Sequence, residues 1–243
     1  MRPRVLTSLS KRLWRLRRNP VVVRRRGALF LLHPRNWIDN RLLAGAPFED
    51  QQIRLARQCI QDRGIDLVID AGANIGLYSV LLGLLPAVKN GIAFEPVRRN
   101  HAQLMSNLFL NGLTQKVEAR CLGLAAQPLK TMIHIDPGST GVSRLDLDTT
   151  DRQKSAFKET EMIDLVRFDD VCTFQNRKVF LKIDVEGGAA GVLQGMQRFL
   201  KSNDVVIQVE LSAGERENAE RLLTDLSFKK IRQIEDDSIF SRS

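Results

Sequence analysis

The residues with the clearest chemical potential begin at Asp70. This acid ends a short apolar segment, residues 67–69, and the loop that follows contains Gly72, Ala73, Asn74 and Gly76. A β-favouring segment, two glycines and a helical pattern after them predict a strand, a tight turn and a helix. Such a helix start offers unpaired N–H groups to a ligand, whereas the acid repels phosphate and attracts positive charge. The loop therefore predicts a nucleotide-like ligand that carries a cationic group.

A second acid, Glu95, ends the next predicted strand, 25 residues after Asp70. In a doubly wound sheet the carboxyl ends of the strands form one ligand site, and an acid there can accept the hydroxyl hydrogens of a ribose. We therefore predict that Glu95, with Pro96 beside it, binds a ribose; the alternative is an ordinary surface glutamate. Gly123 follows the third strand, at the edge where an adenine ring would lie.

A third group consists of Lys182, Asp184 and Glu186, which alternate along an apolar segment. Alternate residues of a strand share one side, and charges in such a place are costly unless they are paired or functional. We predict that these residues form the wall of the active site, with Asp184 or Glu186 as the general base and Lys182 tuning these two carboxylates. The alternative is a structural ion-pair network. Further candidates for the base are His33, His101 and His134. Two carboxylates without a third ligand are weak grounds for a metal, and none is predicted.

The rest of the chain supplies the elements that position these groups. Its 243 residues with 43% hydrophobic content suffice for one α/β domain. Five strand candidates separated by helices, then two final strands, predict an α/β, Rossmann-like fold over residues 64–243. We expect a mostly parallel seven-stranded sheet with helices on both faces and a terminal antiparallel hairpin. Residues 21–23 and 28–32 are predicted to form the two short strands of a hairpin, and the segment 27–63, which ends in a helix over residues 49–63, is predicted to pack on this core.

The predicted sheet is interrupted by an excursion beside the ligand cleft. Residues 131–135 and 161–166 alternate like two antiparallel strands, and the polar loop 136–152 lies between them. A loop of this size at a cleft is a natural place for substrate contacts or a lid.

Residues 1–26 contain ten of the 37 lysines and arginines and no acid, so the other 217 residues carry 27 basic and 28 acidic ones. Leucines at helical spacing beside Trp14 predict a basic amphipathic arm that lies on an anionic membrane surface. A solvated arm and a targeting presequence are the alternatives.

The chain has no apolar run of the roughly 20 residues that a transmembrane helix needs, and no secretion-signal core. We expect a cytoplasmic protein, peripheral at the inner membrane surface if the arm binds lipid. Three widely spaced cysteines predict reduced core thiols, without a disulfide or a zinc site.

Three motifs in this order resemble the FkbM-type S-adenosylmethionine-dependent methyltransferase family. They are residues 70–79, residues 94–96 with Asn107 and Asn111, and residues 181–187 with 192–195. The resemblance runs from about Phe48 to Phe240. It implies transfer of a methyl group from S-adenosylmethionine to a hydroxyl oxygen of a sugar, glycolipid or polyketide-like acceptor. The family usually continues Glu-Gly-Ala-Glu, whereas residues 188–190 here are Gly-Ala-Ala, so the second acid is missing.

Two functions from other classes are weighed against this one. A non-catalytic nucleotide- or membrane-binding adaptor would be free to lose Asp70, Glu95 and the glycine loop, which are intact. A nucleic-acid methyltransferase is disfavoured because the chain outside the arm is nearly neutral, aromatic content is 6% and no base-flipping motif is present. The predicted partner is a small-molecule, sugar or glycolipid acceptor, and the sequence does not indicate an oligomeric state.

Overall fold

The structure is a computed structural model that describes residues 4–139, 141, 143 and 157–242. The helices formed by these residues are α1 Arg4–Arg15, α2 Trp37–Ala44, α3 Asp50–Arg63, α4 Leu77–Gly83, α5 Arg98–Leu110, α6 Phe168–Val171, α7 Ala189–Gly195, α8 Gln197–Ser202 and α9 Arg216–Asp225. The strands are β1 Val21–Arg25, β2 Ala28–Leu32, β3 Leu67–Ala71, β4 Asn90–Phe94, β5 Val117–Arg120, β6 Gly123–Leu124, β7 Leu129–Ile135, β8 Glu159–Val166, β9 Lys178–Ile183, β10 Asp204–Glu210, β11 Lys229–Ile234 and β12 Asp237–Ser241.

A seven-stranded sheet forms the centre, in the order β11-β12-β10-β9-β3-β4-β5. Strands β10, β9, β3, β4 and β5 are parallel, whereas β12 is antiparallel to β10 and β11 is antiparallel to β12. The predicted fold is confirmed, including the terminal hairpin. Because the parallel strands share one direction, their carboxyl ends, and the acids that follow them, lie along one edge.

Helices cover both faces of this sheet, as the alternation of buried residues along the strands requires. Val68 packs with α3, α4, α5 and the β1–β2 hairpin, whereas its neighbours Leu67 and Ile69 pack on the other face with α6 to α9. On that second face the ring of Phe168 lies 4.7 Å from that of Phe199 and 5.8 Å from that of Phe94. The result is a three-layer α/β domain.

The N-terminal hairpin is formed by β1 and β2, where the two short strands are predicted, and it begins within residues 1–26. Helix α2 was not predicted, although Asn36 caps it by accepting hydrogen bonds from two backbone N–H groups and Gly45 ends it in the left-handed conformation. The backbone carbonyl of Lys11 in α1 accepts a 3.1 Å hydrogen bond from Asn40 of α2, so α1 lies on α2.

Two further details of the core correct the sequence prediction. Gly123 begins a strand that pairs with β8 in a separate three-stranded sheet, and not at the edge of the main one. The pattern over residues 189–200 predicts one helix, whereas the structure has two, α7 and α8. Gly195, the last residue of α7, lies so close to the carbonyl of Ala125 that a Cβ there would overlap it.

Strands β7 and β8 pair antiparallel, as predicted, and most of the loop 136–152 between them falls outside the described residues. Of the three free cysteines, Cys172 is buried and the half-buried Cys59 packs against the hydrophobic core, whereas Cys121 is exposed and is not a core residue. No helix in the described part of the chain is long and apolar enough to cross a membrane.

Two asparagines fix the hairpin to the domain: Asn107 in α5 and Asn111 directly after it. Asn107 is fully buried; its Oδ1 accepts a 2.7 Å hydrogen bond from the N–H of Leu31, and its amide nitrogen donates to the carbonyl of Ile75 at 2.8 Å. Asn111 accepts from the N–H of Leu29 and donates to its carbonyl. These contacts join an edge of the hairpin to the start of α4.

We expect Asn107→Ala to lower the free energy of unfolding by about 2–3 kcal/mol, because it leaves a buried N–H and a buried C=O without partners. Urea denaturation measures the change. Ser106→Ala, on the neighbouring position of the same helix, serves as the control and is expected to cost less than about 1 kcal/mol. Equal effects of the two substitutions would contradict the proposed role of Asn107.

Candidate functional site

A cavity of about 290 Å³ lies at the carboxyl ends of β3, β4, β9 and β10. Apart from Gly76, every residue predicted for the site lines it; these are Asp70, Gly72, Ala73, Asn74, Glu95, Pro96, Gly123, Lys182, Asp184 and Glu186. The volume is near the lower end of the range for small-molecule sites, about 300 to 1,000 Å³. The parallel sheet therefore brings together groups that are more than 100 residues apart in the chain.

The glycine loop is held in a conformation that requires its glycines. Gly72 has a φ of +82°, and a Cβ there would overlap the carbonyl oxygen of Asp184. Gly76 has a φ of +83° and precedes α4, where it packs against Leu104 of α5. Gly76 thus allows the helix to approach α5, whereas Gly72 lets the loop pass beside the end of β9.

Asn74 is the residue of this loop best placed to bind a ligand. It has a φ of +50° and lines the cavity. Its Oδ1 atom is buried and has no hydrogen-bond partner among the described residues. A buried acceptor without a partner is costly, and a ligand N–H or O–H would remove that cost.

Glu95 directly follows β4 and is 5% exposed. Its Oε2 accepts a 2.9 Å hydrogen bond from the N–H of Asn74, and its Oε1 accepts one of 2.9 Å from the N–H of Val97. Burial raises the pKa of Glu95 to about 7, against the opposing effect of these N–H groups. Oε1 also accepts a 3.4 Å hydrogen bond from the side-chain amide of Asn100. The carboxylate therefore holds the glycine loop in place, and Oε2 keeps a second lone pair for a hydroxyl group of a ligand.

Asp70 has a comparable arrangement at the end of β3. Its Oδ2 accepts hydrogen bonds from the N–H of Ser79 at 3.0 Å and from the Ser79 hydroxyl at 2.5 Å. The residue is 3% exposed, and burial raises its pKa to about 6. Asp70 thus binds the first turn of α4 and lines the cavity as well.

Lys182 is 1% exposed and lies in a network that closes the floor of the cavity. Its Nζ donates to Oδ1 of Asp237 at 2.8 Å, is 3.7 Å from Oδ2 of Asp184 and lies 5.4 Å from the ring centre of Tyr78. Gln208 donates to the same Asp237 oxygen and to the Tyr78 hydroxyl. Burial lowers the pKa of Lys182, but the charges of Asp184 and Asp237 outweigh it and raise that pKa well above 10.5. Lys182 is therefore a permanent cation and not a proton carrier.

The strand that was predicted to carry all three charged residues ends earlier than expected. Strand β9 stops at Ile183, Asp184 follows it, and Glu186 lies in a turn with a φ of +34°. All three still line the cavity, Lys182 from its floor and Glu186 from its exposed rim. The turn, and not strand alternation, places Glu186 there.

Two carboxylates of the cavity were missed in the sequence. Glu210 ends β10, and the charge of Asp184, followed by burial, raises its pKa to about 8. Glu49 precedes α3 and faces the Tyr78 hydroxyl; burial raises its pKa to about 7, and its Oε2 is buried without a hydrogen-bond partner in the described part of the chain. The position of Glu210 at a parallel strand end was a usable signal, whereas nothing in the sequence marks Glu49.

The other lining residues are largely apolar. They include Trp37 and Ile38 of α2, Phe48 before α3, Ile133 of β7, and Ile163 and Leu165 of β8, together with Ser139, Gly141 and Ser143 from the predicted loop 136–152. None of the described lining residues is a histidine. Within the described ranges, no three His, Cys, Asp or Glu side chains are grouped so that they could hold a metal ion.

Comparison with known proteins identifies relatives that cover most of this domain. The model of the methyltransferase FkbM domain matches residues 70–237. Methyltransferase sdnD from Sordaria araneosa is 28% identical, over 66% of this chain and 73% of the relative. Methyltransferase 1 from Beauveria bassiana is 26% identical, over 66% and 71%.

One solved structure has a similar fold. The crystal structure of methyltransferase FkbM from Methylobacillus flagellatus superposes with a TM-score of 0.50 at 15% identity, over 73% of this chain. The present chain spans 43% of the length of that protein.

We expect Lys182→Met to lower the free energy of unfolding by about 3–5 kcal/mol, because it leaves the carboxylate of Asp237 buried without its cation. Chemical denaturation measures this loss. Lys178→Met, at the exposed start of the same strand, is the matched control and is expected to change stability by less than about 1 kcal/mol. If Lys182→Met were as stable as the control, the ion pair would not organise the cavity floor.

Proposed function

This chain belongs to the FkbM methyltransferase family, and we propose that it transfers a methyl group from S-adenosylmethionine to a hydroxyl oxygen of a sugar, glycolipid or polyketide-like natural product. One observation carries the proposal. A single cavity is lined both by the glycine loop with Glu95 and by the carboxylates that follow β9 and β10. Cofactor groups and a proton acceptor would thus meet in one place.

The donor set of the cavity fits this cofactor. Oε2 of Glu95 has a free lone pair for a ribose hydroxyl, and Asn74 has an unpartnered buried oxygen among the described residues. The carboxyl groups of Glu49, Asp70 and Glu95 give the cavity a negative character that suits a cationic ligand. A pyrophosphate-bearing cofactor would be repelled by the same groups.

S-adenosylmethionine supplies, when bound, an electrophilic methyl group on positively charged sulfur. The tasks left to the protein are to position the acceptor oxygen and to take its proton as the new C–O bond forms. We propose that Asp184 or Glu186 takes this proton. Lys182 is a positioning residue, because its ammonium group holds Asp184 and is itself already charged.

The lining residues that we assign to the methyl acceptor suit a ligand with both polar and apolar surface. Trp37 and Phe48 supply aromatic faces, and their rings meet edge to face at 6.0 Å. Ser139 and Ser143 supply hydroxyl groups from the loop 136–152. Sugars and glycosylated natural products commonly combine stacking and hydroxyl contacts of this kind.

Calorimetry with S-adenosylmethionine, followed by mass spectrometry of glycan and glycolipid extracts incubated with methyl-labelled cofactor, tests the proposal. We expect binding and a labelled product.

Glu95→Ala is expected to weaken cofactor binding by at least about tenfold, through loss of its hydrogen bonds to the loop and the ligand. Glu118→Ala, an exposed carboxylate on β5, should bind normally. Absence of any heat with the wild-type protein would reject the cofactor, and binding without turnover on any extract would favour an adaptor.

Amide substitutions identify the base. We expect at least one of Asp184→Asn and Glu186→Gln to lower kcat by about 100-fold or more, with cofactor affinity unchanged, since general-base catalysis contributes that much. Glu210→Gln tests the carboxylate whose pKa of about 8 would also suit proton transfer near neutral pH. Full activity in all three variants would show that none of these three carboxylates takes the proton.

Cofactor affinity should rise with pH. Burial raises the pKa of Glu49 and Glu95 to about 7 and that of Asp70 to about 6, so these groups are neutral below those values and negative above them. Between pH 6 and pH 8 the cavity gains negative charge and attracts a sulfonium more strongly. We expect affinity for S-adenosylmethionine to rise about tenfold more than affinity for S-adenosylhomocysteine, which lacks that charge. Parallel titration of both ligands by calorimetry measures the difference; identical pH profiles would contradict it.

A further inference from the structure

Helix α1 is amphipathic, but its leucines face solvent, whereas an ordinary surface helix turns its apolar side toward the protein. Leu9, Leu13 and Leu16, spaced four and three residues apart, lie on one side of it, where 55%, 58% and 78% of their surface is exposed. The side that faces the protein carries Ser10 and Trp14, both half-buried. The leucines thus form a stripe that points away from the domain.

The side of α1 opposite the leucines is held to the domain by specific contacts. Trp14 packs against the hydrophobic core, and the guanidinium of Arg17 lies 5.4 Å from the centre of its ring. The carbonyl of Lys11 accepts a hydrogen bond from Asn40 of α2. Rotating the helix to bury the leucines would break these contacts, so the leucine stripe is a stable feature of the folded protein.

The stripe is bordered by positive charge. Arg12 and Arg15 on α1, and Arg17 and Arg18 directly after it, are all exposed. In the part of the chain that the structure describes, none of the four forms an ion pair with a carboxylate. An apolar stripe flanked by uncompensated arginines suits the boundary between headgroups and acyl chains of an anionic bilayer.

We propose that the leucine stripe of α1 docks the protein on an anionic lipid surface, with Leu9, Leu13 and Leu16 inserted among the acyl chains and the arginines on the headgroups. A second copy of the chain is a poorer occupant, since each arm brings ten basic residues and no acid within residues 1–26, and two such arms repel each other. The proposal concerns docking alone and does not depend on the methyl acceptor.

Vesicle co-sedimentation of the full chain tests the proposal. At about 0.1 M salt, we expect binding to phosphatidylcholine vesicles that contain 30% phosphatidylglycerol to be at least about tenfold stronger than binding to pure phosphatidylcholine. Replacing Leu9, Leu13 and Leu16 by serine should weaken anionic binding by about tenfold or more. Replacing Arg12, Arg15 and Arg18 by glutamine should weaken the preference for anionic lipid and the dependence on salt; Arg17 is left unchanged because its guanidinium lies against the Trp14 ring.

A matched control replaces three exposed apolar residues elsewhere, Phe109, Met162 and Ile231, which are 75%, 52% and 52% exposed. This variant should bind vesicles like the wild type. Thermal unfolding should be unchanged in the leucine and arginine variants, because the substituted side chains are exposed. Failure to sediment with anionic vesicles, or sedimentation that survives the leucine substitutions, overturns the proposal. A dimer in gel filtration that disappears with the leucine substitutions, without vesicle binding, would assign the stripe to a second copy instead.

Discussion

The ammonium group of Lys182 lies inside the protein, and a buried charge of this kind is tolerated only beside opposite charges. Asp237 of the terminal hairpin and Asp184 at the end of β9 supply them, and Tyr78 of α4 covers the cation with its ring. Elements from three separate parts of the chain are thereby held in one arrangement around the cavity floor. The charge of Asp184, which balances Lys182, also acts on a neighbour: together with burial it raises the pKa of Glu210.

The acids that end β3 and β4 serve two purposes at once. Asp70 binds the first turn of α4 through Ser79, and Glu95 binds the glycine loop through the N–H of Asn74. Both contacts join residues of the chain, so the protein itself holds the loop in position. Preorganisation of this kind lowers the entropic cost of holding a cofactor in a reactive position.

Much of this site was predictable because parallel strands bring their carboxyl ends together. Once β3, β4 and β9 were identified from their apolar residues, Asp70, Glu95 and Asp184 had to be neighbours. Asp237 and Glu49 could not be found in this way, because their places depend on how a hairpin and a helix start pack against the sheet. The division of residues 189–202 into α7 and α8 was not predicted either; Gly195 at the end of α7 lies against the distant Ala125.

The separation of charge along the chain has an effect at distances beyond any single contact. With ten basic residues in the first 26 and a nearly neutral remainder, the molecule has a large electric dipole moment. Such a molecule rotates in the field of an anionic surface before it touches that surface, and it arrives with its arm leading. Because α1 lies on α2, which contributes Trp37 and Ile38 to the cavity wall, a surface that bound the arm would lie beside that wall.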